Sequence, residues 1–189
     1  GGTVEFQGVV DNTGSTLTLG ATAGTWLLNG GTLKGGVVEL GEALEVSGHN
    51  NNRLESVVVN GDIDMNRTSM RLTVKDIELN GTATLWRDSW LMFDGTQTLR
   101  GDATVNLNSN DSAVARMVMS TAGTLTLAST VRVQGVNGEL GRELFSGATM
   151  TLVNEGVISA TVSGRYVNLV MGGLENRGTL EALNGGILY

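Results

Sequence analysis

Few residues in this chain are of a type and spacing that could do chemistry. His49 is the single histidine of the 189 residues, and cysteine is absent. An imidazole could serve a Ser-His-Asp relay or a metal centre. Yet Gly48-His49-Asn50-Asn51-Asn52 reads as a polar loop, and no second histidine exists to share a metal. Without cysteine there is no thiol nucleophile, no Cys-ligated zinc and no disulfide. Asp62 and Asp64 lie two apart, so they project from one side of a strand. With Asp102 they form the candidate metal set. Asp62 and Asp102 would stand about 10 Å apart, two strand spacings. That is wide for calcium, which takes several oxygens at about 2.3–2.6 Å. A carboxylate pair for glycoside hydrolysis needs about 5–10 Å and a groove. The neighbours here, Thr82, Thr84 and Thr104, are neither basic nor aromatic.

The segment Trp86-Arg87-Asp88-Ser89-Trp90 is the candidate ligand-binding set, carried by Trp86, Arg87, Asp88 and Trp90. An exposed indole beside Arg and Asp could stack on a sugar or on a partner protein, because aromatics and Arg are enriched at binding hot spots. The competing expectation packs both indoles at a corner or over the ends of apolar columns. Glu39, Glu42 and Glu45 read as a solvated acidic face. Met117-Val118-Met119 and Val170-Met171 read as gap-filling core. Two sequons, Asn66-Arg67-Thr68 and Asn110-Asp111-Ser112, are too short to carry weight. No phosphate loop, dinucleotide fingerprint or nucleophile elbow occurs, so the expectation is no cofactor and no enzyme.

The elements that would position these residues are strands. Gly is high at 28, Pro is zero and aromatics are 4%. Pro lacks the N–H that a central strand must donate, so a chain of central strands has few places for one. Leu-x-Leu and Val-x-Val alternation separates the sequence from a Gly-rich linker. The net charge of -7 argues against a nucleic-acid partner, which needs basic patches. No apolar run reaches the roughly 20 residues of a membrane-spanning helix, so no membrane insertion is expected.

The chain repeats itself. Leu152, Asn154, Gly156, Ile158 and Ala160 match Leu174, Asn176, Gly178, Leu180 and Ala182 at an offset of 22. A second series begins at Val59, Leu79 and Leu99, at an offset of 20. Its expected columns are Ile63/Ala83/Ala103 and Met65/Leu85/Val105, with Gly61, Gly81 and Gly101 stacked at a bend and Asn60 and Asn80 starting an amide ladder. About 20 residues make one three-strand coil, and coils stack at about 4.8 Å. The pattern therefore predicts an all-β, right-handed parallel β-helix, a β-solenoid of roughly eight coils and about 40 Å. Ser47–Arg53 and Asn106–Ser112 are the expected loop insertions. An antiparallel sandwich would also alternate and use Asn-Gly turns, but it would not require matched columns. The expected domain is a single solenoid over 1–189. Neither end shows a polar cap, so a segment of a longer solenoid is expected, with flanking coils or end-to-end self-association as partners.

The Asn-x-Gly-x-Leu/Ile-x-Ala and Gly-Thr-Leu-x-Leu units resemble the β-helical repeats of large secreted bacterial surface proteins, namely autotransporter passenger domains and filamentous-haemagglutinin-like adhesins. The resemblance implies a secreted or cell-surface location and a stalk or adhesive role toward a glycan or a host surface protein. It carries over no functional residues. The alternatives are a polysaccharide-acting β-helix lyase or glycosidase, and a phage tail-fibre or tailspike segment.

Overall fold

The structure is a computed structural model that describes residues 2–20, 22, 24–109 and 112–189. It is an all-β parallel β-solenoid of about eight turns. The first coil comprises strands Thr3–Phe6, Val9–Asp11 and Thr16–Leu19. The second comprises Thr25–Leu28, Thr32–Lys34 and Val37–Leu40, and the pattern continues along the chain. Each strand pairs in parallel with its counterpart one coil on, as Val4 does with Trp26, Val10 with Leu33 and Leu17 with Val38. The rod thus has three walls.

Alternation sends every second residue of each wall inward. On the first wall the column Leu44–Ile63–Ala83–Val105–Val133–Ile158–Leu180 runs through consecutive coils. On the second wall Val10–Leu33–Leu54–Val74–Phe93–Met119 does the same. From Leu33 to Met119 the members of that second column are fully buried. Each such side chain contributes about 1.5–3 kcal/mol by leaving water. Met117, Val118 and Met119 are buried, as expected of core.

Corners are closed by glycine and by buried polar side chains. At Gly36, φ is +65° and an added Cβ would stand 2.1 Å from the carbonyl oxygen of Asn12. Only glycine fits such an approach. Asn52 is fully buried and ties three coils together: its amide donates to the carbonyls of Ser47 (2.8 Å) and Arg71 (3.0 Å) and accepts from the Gly30 N–H (2.6 Å). Gln97 closes a corner in the same way, donating to the Val74 carbonyl and accepting from the Asp76 N–H. These bonds answer the cost of burying an unpaired amide.

The expected alignment of the C-terminal units holds residue for residue. Leu152 pairs with Leu174, Asn154 with Asn176, Ile158 with Leu180 and Ala160 with Ala182. Asn154 Nδ2 donates to Asn176 Oδ1 at 2.7 Å. The first step of the other series also holds, with Val59 on Leu79, Ile63 on Ala83 and Met65 on Leu85. The Asn ladder is present and longer than two members: Asn80 donates to Asn60 (2.9 Å), Asn60 donates to Glu39 (2.7 Å), and the Asp102 N–H donates to Asn80 Oδ1 (3.1 Å).

The second step differs. Gly81 pairs with Ala103, Ala83 with Val105 and Leu85 with Leu107, while Glu78 bridges Arg100. The third unit is displaced by two residues from the expected columns. A slip of two preserves which residues face inward, so the apolar pattern alone does not reveal it. Gly101 accordingly leaves the Gly61–Gly81 stack and lies against the Leu79 carbonyl, 2.2 Å from where its Cβ would be, with φ +92°. Of the two expected insertions, Ser47–Arg53 is a turn up to Asn52, after which Arg53 opens the strand Arg53–Glu55. Asn106–Ser112 is not loop throughout: Asn106 to Asn108 belong to the strand Ala103–Asn108, where Asn106 and Asn108 face outward. Asn110 and Asp111, part of that segment and of the second sequon, lie outside the described residues.

Candidate functional site

The second wall of the central coils carries a cluster of arginine, carboxylate and aromatic side chains. Leu91 and Phe93 take core positions in the strand Trp90–Asp94, which sends Trp90 to the outer side. Register places Arg71 beside Trp90 in the preceding coil, Arg116 beside it in the following coil and Glu139 beyond Arg116. The two guanidinium groups flank the indole, with Arg71 Cζ at 4.7 Å and Arg116 Cζ at 5.6 Å from the ring centroid. Each such cation–π contact contributes about 0.5–2 kcal/mol, more as water is excluded.

The turn that delivers Trp90 is pinned to the coil before it. Ser89 is buried; its hydroxyl donates to the Arg67 carbonyl (2.7 Å) and accepts the Met70 N–H (3.1 Å). Asp88 takes φ +53°, a left-handed conformation that Asp tolerates better than most residues. There its carboxylate accepts from Trp90 Nε1 (3.1 Å), Ser69 Oγ (3.1 Å), Arg71 (3.3 Å) and Arg116 (3.2 Å). Arg71 also donates to the Asp88 carbonyl. Partial burial pushes the Asp88 carboxyl up. The Trp90 bond, the Arg71 charge and the Ser69 bond outweigh it and hold the group below the usual carboxylate range.

A loop from the far side of the wall closes over the indole. Past Leu140 the chain turns back, and Phe145 stacks on Trp90 with centroids 5.3 Å apart and planes 18° from parallel. Trp90 keeps 3% of its surface exposed, Phe145 keeps 81% and Leu144 47%. Glu143 organises this loop: its carboxylate accepts the N–H groups of Phe145 (2.9 Å) and Gly147 (2.8 Å) and both the amide and hydroxyl of Ser146. Beneath the loop Glu139, 7% exposed, accepts from Arg116 (2.9 Å) and Arg142 (3.3 Å).

Of the candidate binding residues, Asp88 and Trp90 sit in this cluster. Trp86 is half-buried and Arg87 exposed in the adjoining turn. Trp90 is therefore not the open indole of the binding expectation: Phe145 covers it and the arginines flank it. Sequence reasoning missed Arg71, Arg116, Glu139, Arg142 and Phe145. Their link to Trp90 depends on knowing the lengths of the intervening loops, which differ from coil to coil.

The candidate metal residues do not converge. Asp62 accepts the Thr82 N–H (2.7 Å) and Asp64 the Asn66 N–H (2.6 Å). Both line an open hollow of about 200 Å³. Asp102 does not join their column, because Thr104 and Asn106 rather than Asp102 and Thr104 face Thr82 and Thr84. Among the described residues no group of three or more His, Asp or Glu side chains is placed to hold a metal ion. His49 Nδ1 accepts the Asn51 N–H (3.1 Å) in an amide-rich hollow with Gln7, Asn29 and Gly30.

The fold and this cluster define the class: a parallel β-solenoid bearing a lateral arginine–aromatic stack. No family model, curated protein or solved structure matches the chain.

Proposed function

We propose that this chain is a structural and adhesive β-solenoid segment, working at a cell surface or secreted, with its lateral wall as a binding surface for a glycan or a host protein. One observation carries the reading. Phe145 is held out on the second wall with most of its ring in water, on a loop tied down by Glu143 and on an indole fixed by two arginines. A large exposed aromatic on a rigid base is what a hot spot requires, because little ordering remains to be done on binding. The repeat style shared with autotransporter passenger domains and filamentous-haemagglutinin-like adhesins supports the same reading. A filled core fits a stalk that transmits force along stacked strands.

Glycan-array and cell-adhesion measurements on the intact chain, paired with Trp86→Ala and Phe145→Ala variants, test it. Binding that falls in either variant is the expected result. An array and host cells that retain nothing above background would overturn the adhesive half. Release of unsaturated or newly reducing sugar ends would replace it with a polysaccharide-acting enzyme.

A further inference from the structure

Five Asn-Gly pairs occur in the chain, at 29–30, 60–61, 80–81, 137–138 and 184–185. This dipeptide is open to one covalent change, because glycine has no side chain to keep its amide nitrogen from reaching the preceding side-chain carbonyl. The solenoid treats the five pairs differently. Three have both members held in hydrogen bonds. The Gly30 N–H donates to Asn52 Oδ1 (2.6 Å) and the Asn29 amide to Glu5 (3.1 Å). The Gly61 N–H donates to the Asn80 carbonyl (2.9 Å) and the Gly81 N–H to the Asp102 carbonyl (3.2 Å). The Asn60 and Asn80 amides are rungs of the ladder that ends at Glu39. In the fourth pair Asn137 is buried, 3% exposed, within the strand Arg132–Leu140.

The fifth pair lacks such restraint. Asn184 and Gly185 are both exposed. They are the central residues of a turn closed by the Gly186 N–H on the Leu183 carbonyl (2.8 Å), with φ of +51° and +77°. The Gly185 N–H donates to nothing among the described residues. The Asn184 amide makes a single long bond, 3.4 Å to the Thr161 carbonyl.

We infer that Asn184 is a modification site, at which the folded chain converts its own amide to a carboxylate through a cyclic imide with Gly185. The Gly185 nitrogen attacks Asn184 Cγ. A new N–Cγ bond forms, and the side-chain nitrogen leaves as ammonia, taking the Gly185 proton. Water then opens the ring, and nothing is oxidised or reduced. Opening at Cγ gives aspartate; opening at the backbone carbonyl gives isoaspartate, whose main chain runs through the former side chain. Either product adds a negative charge. Isoaspartate also adds one backbone atom to the turn that sets Ile187 on Tyr166 and Leu188 on Val167.

The test ages the intact chain in warm, mildly alkaline buffer, folded and in urea, and then maps its peptides by mass spectrometry. Trypsin puts each pair on its own peptide, because a Lys or Arg separates each from the next, and Asn184 falls on residues 178–189. Digestion in heavy-oxygen water marks any conversion that happens during the digest. In urea all five peptides should gain the mass of an amide-to-acid change at comparable rates. In the folded chain, peptide 178–189 should convert at nearly its urea rate, and the other four at least about ten-fold more slowly, since a bonded or buried amide must first be freed. The Ile187 and Tyr189 N–H groups, which donate to the Arg165 and Val167 carbonyls, should exchange several-fold faster in converted protein and stay protected in aged Asn184→Gln. Conversion of 178–189 as slow as that of the other four, or faster conversion at any of them, would overturn the site. Unchanged exchange in converted protein would overturn its effect on the turn.

Discussion

The outer sides of the first and second walls are built on the same strand spacing and reach opposite ends. On the first wall the outward column Asp64–Thr84–Asn106–Gln134–Ser159 is made of short or amide side chains. Within it Gln134 donates to Asn106 along the axis at 2.8 Å, whereas Ser159 is buried and its hydroxyl has no hydrogen-bond partner among the described residues. On the second wall the column Arg71–Trp90–Arg116–Glu139 is made of long side chains that rise from the sheet and build a second layer, roofed by Phe145. Stacking at about 4.8 Å fixes who the neighbours are. The residue types in a column then decide whether it becomes a flat polar ladder or a raised cluster with chemistry of its own.

Substitutions should separate the two walls sharply. Trp90→Ala removes a buried ring from between two guanidinium groups and leaves a void under Phe145. Its expected cost is about 3 kcal/mol or more in urea unfolding. Asp88→Ala leaves Arg71 and Arg116 short of one acceptor and should cost about 1–2 kcal/mol. Asp88→Asn adds a pH test. The carboxyl ionises below its ordinary value in the folded chain, so its stabilisation is complete above the unfolded value near ~4 and is lost as pH falls through the lowered folded one. Acid unfolding should therefore be shallower in Asp88→Asn than in the parent, and identical slopes would remove Asp88 as the organising anion. Thr84→Ala, on the first wall, should stay within about 0.5 kcal/mol. Phe145→Ala should be nearly as quiet in stability, yet it should shift Trp90 emission to the red as water reaches the indole.

How much of this was written in the sequence depends on the length of the intervening loops. Where coils keep a constant length, matched residues pair: Leu152 with Leu174 and Ile63 with Ala83. Where a corner gains residues, the period-two pattern still tells inside from outside but loses the register, and Ala103 faces Gly81 instead of Ala83. Asn106 and Asn108 looked like loop because outward strand residues on a solvated wall are as polar as a turn. Asp88 and Trp90 were legible as a candidate pair from their own turn. Arg71, Arg116 and Phe145 were not, because each comes from a different coil or from a loop that folds back. No local spacing encodes such a meeting.

The register is the central claim, and an engineered disulfide tests it most directly in a chain without cysteine. In the double variant Thr84→Cys with Asn106→Cys the two positions are paired neighbours, within the about 4.4–6.8 Å between Cα atoms that a disulfide spans. In Thr84→Cys with Thr104→Cys, the pair a uniform 20-residue repeat would align, two residues of strand rise push them to about 8 Å, beyond reach. Mild oxidation should close the first pair nearly completely and leave the second as free thiols. Efficient closure of the second pair with little of the first would contradict the stacking described for these coils.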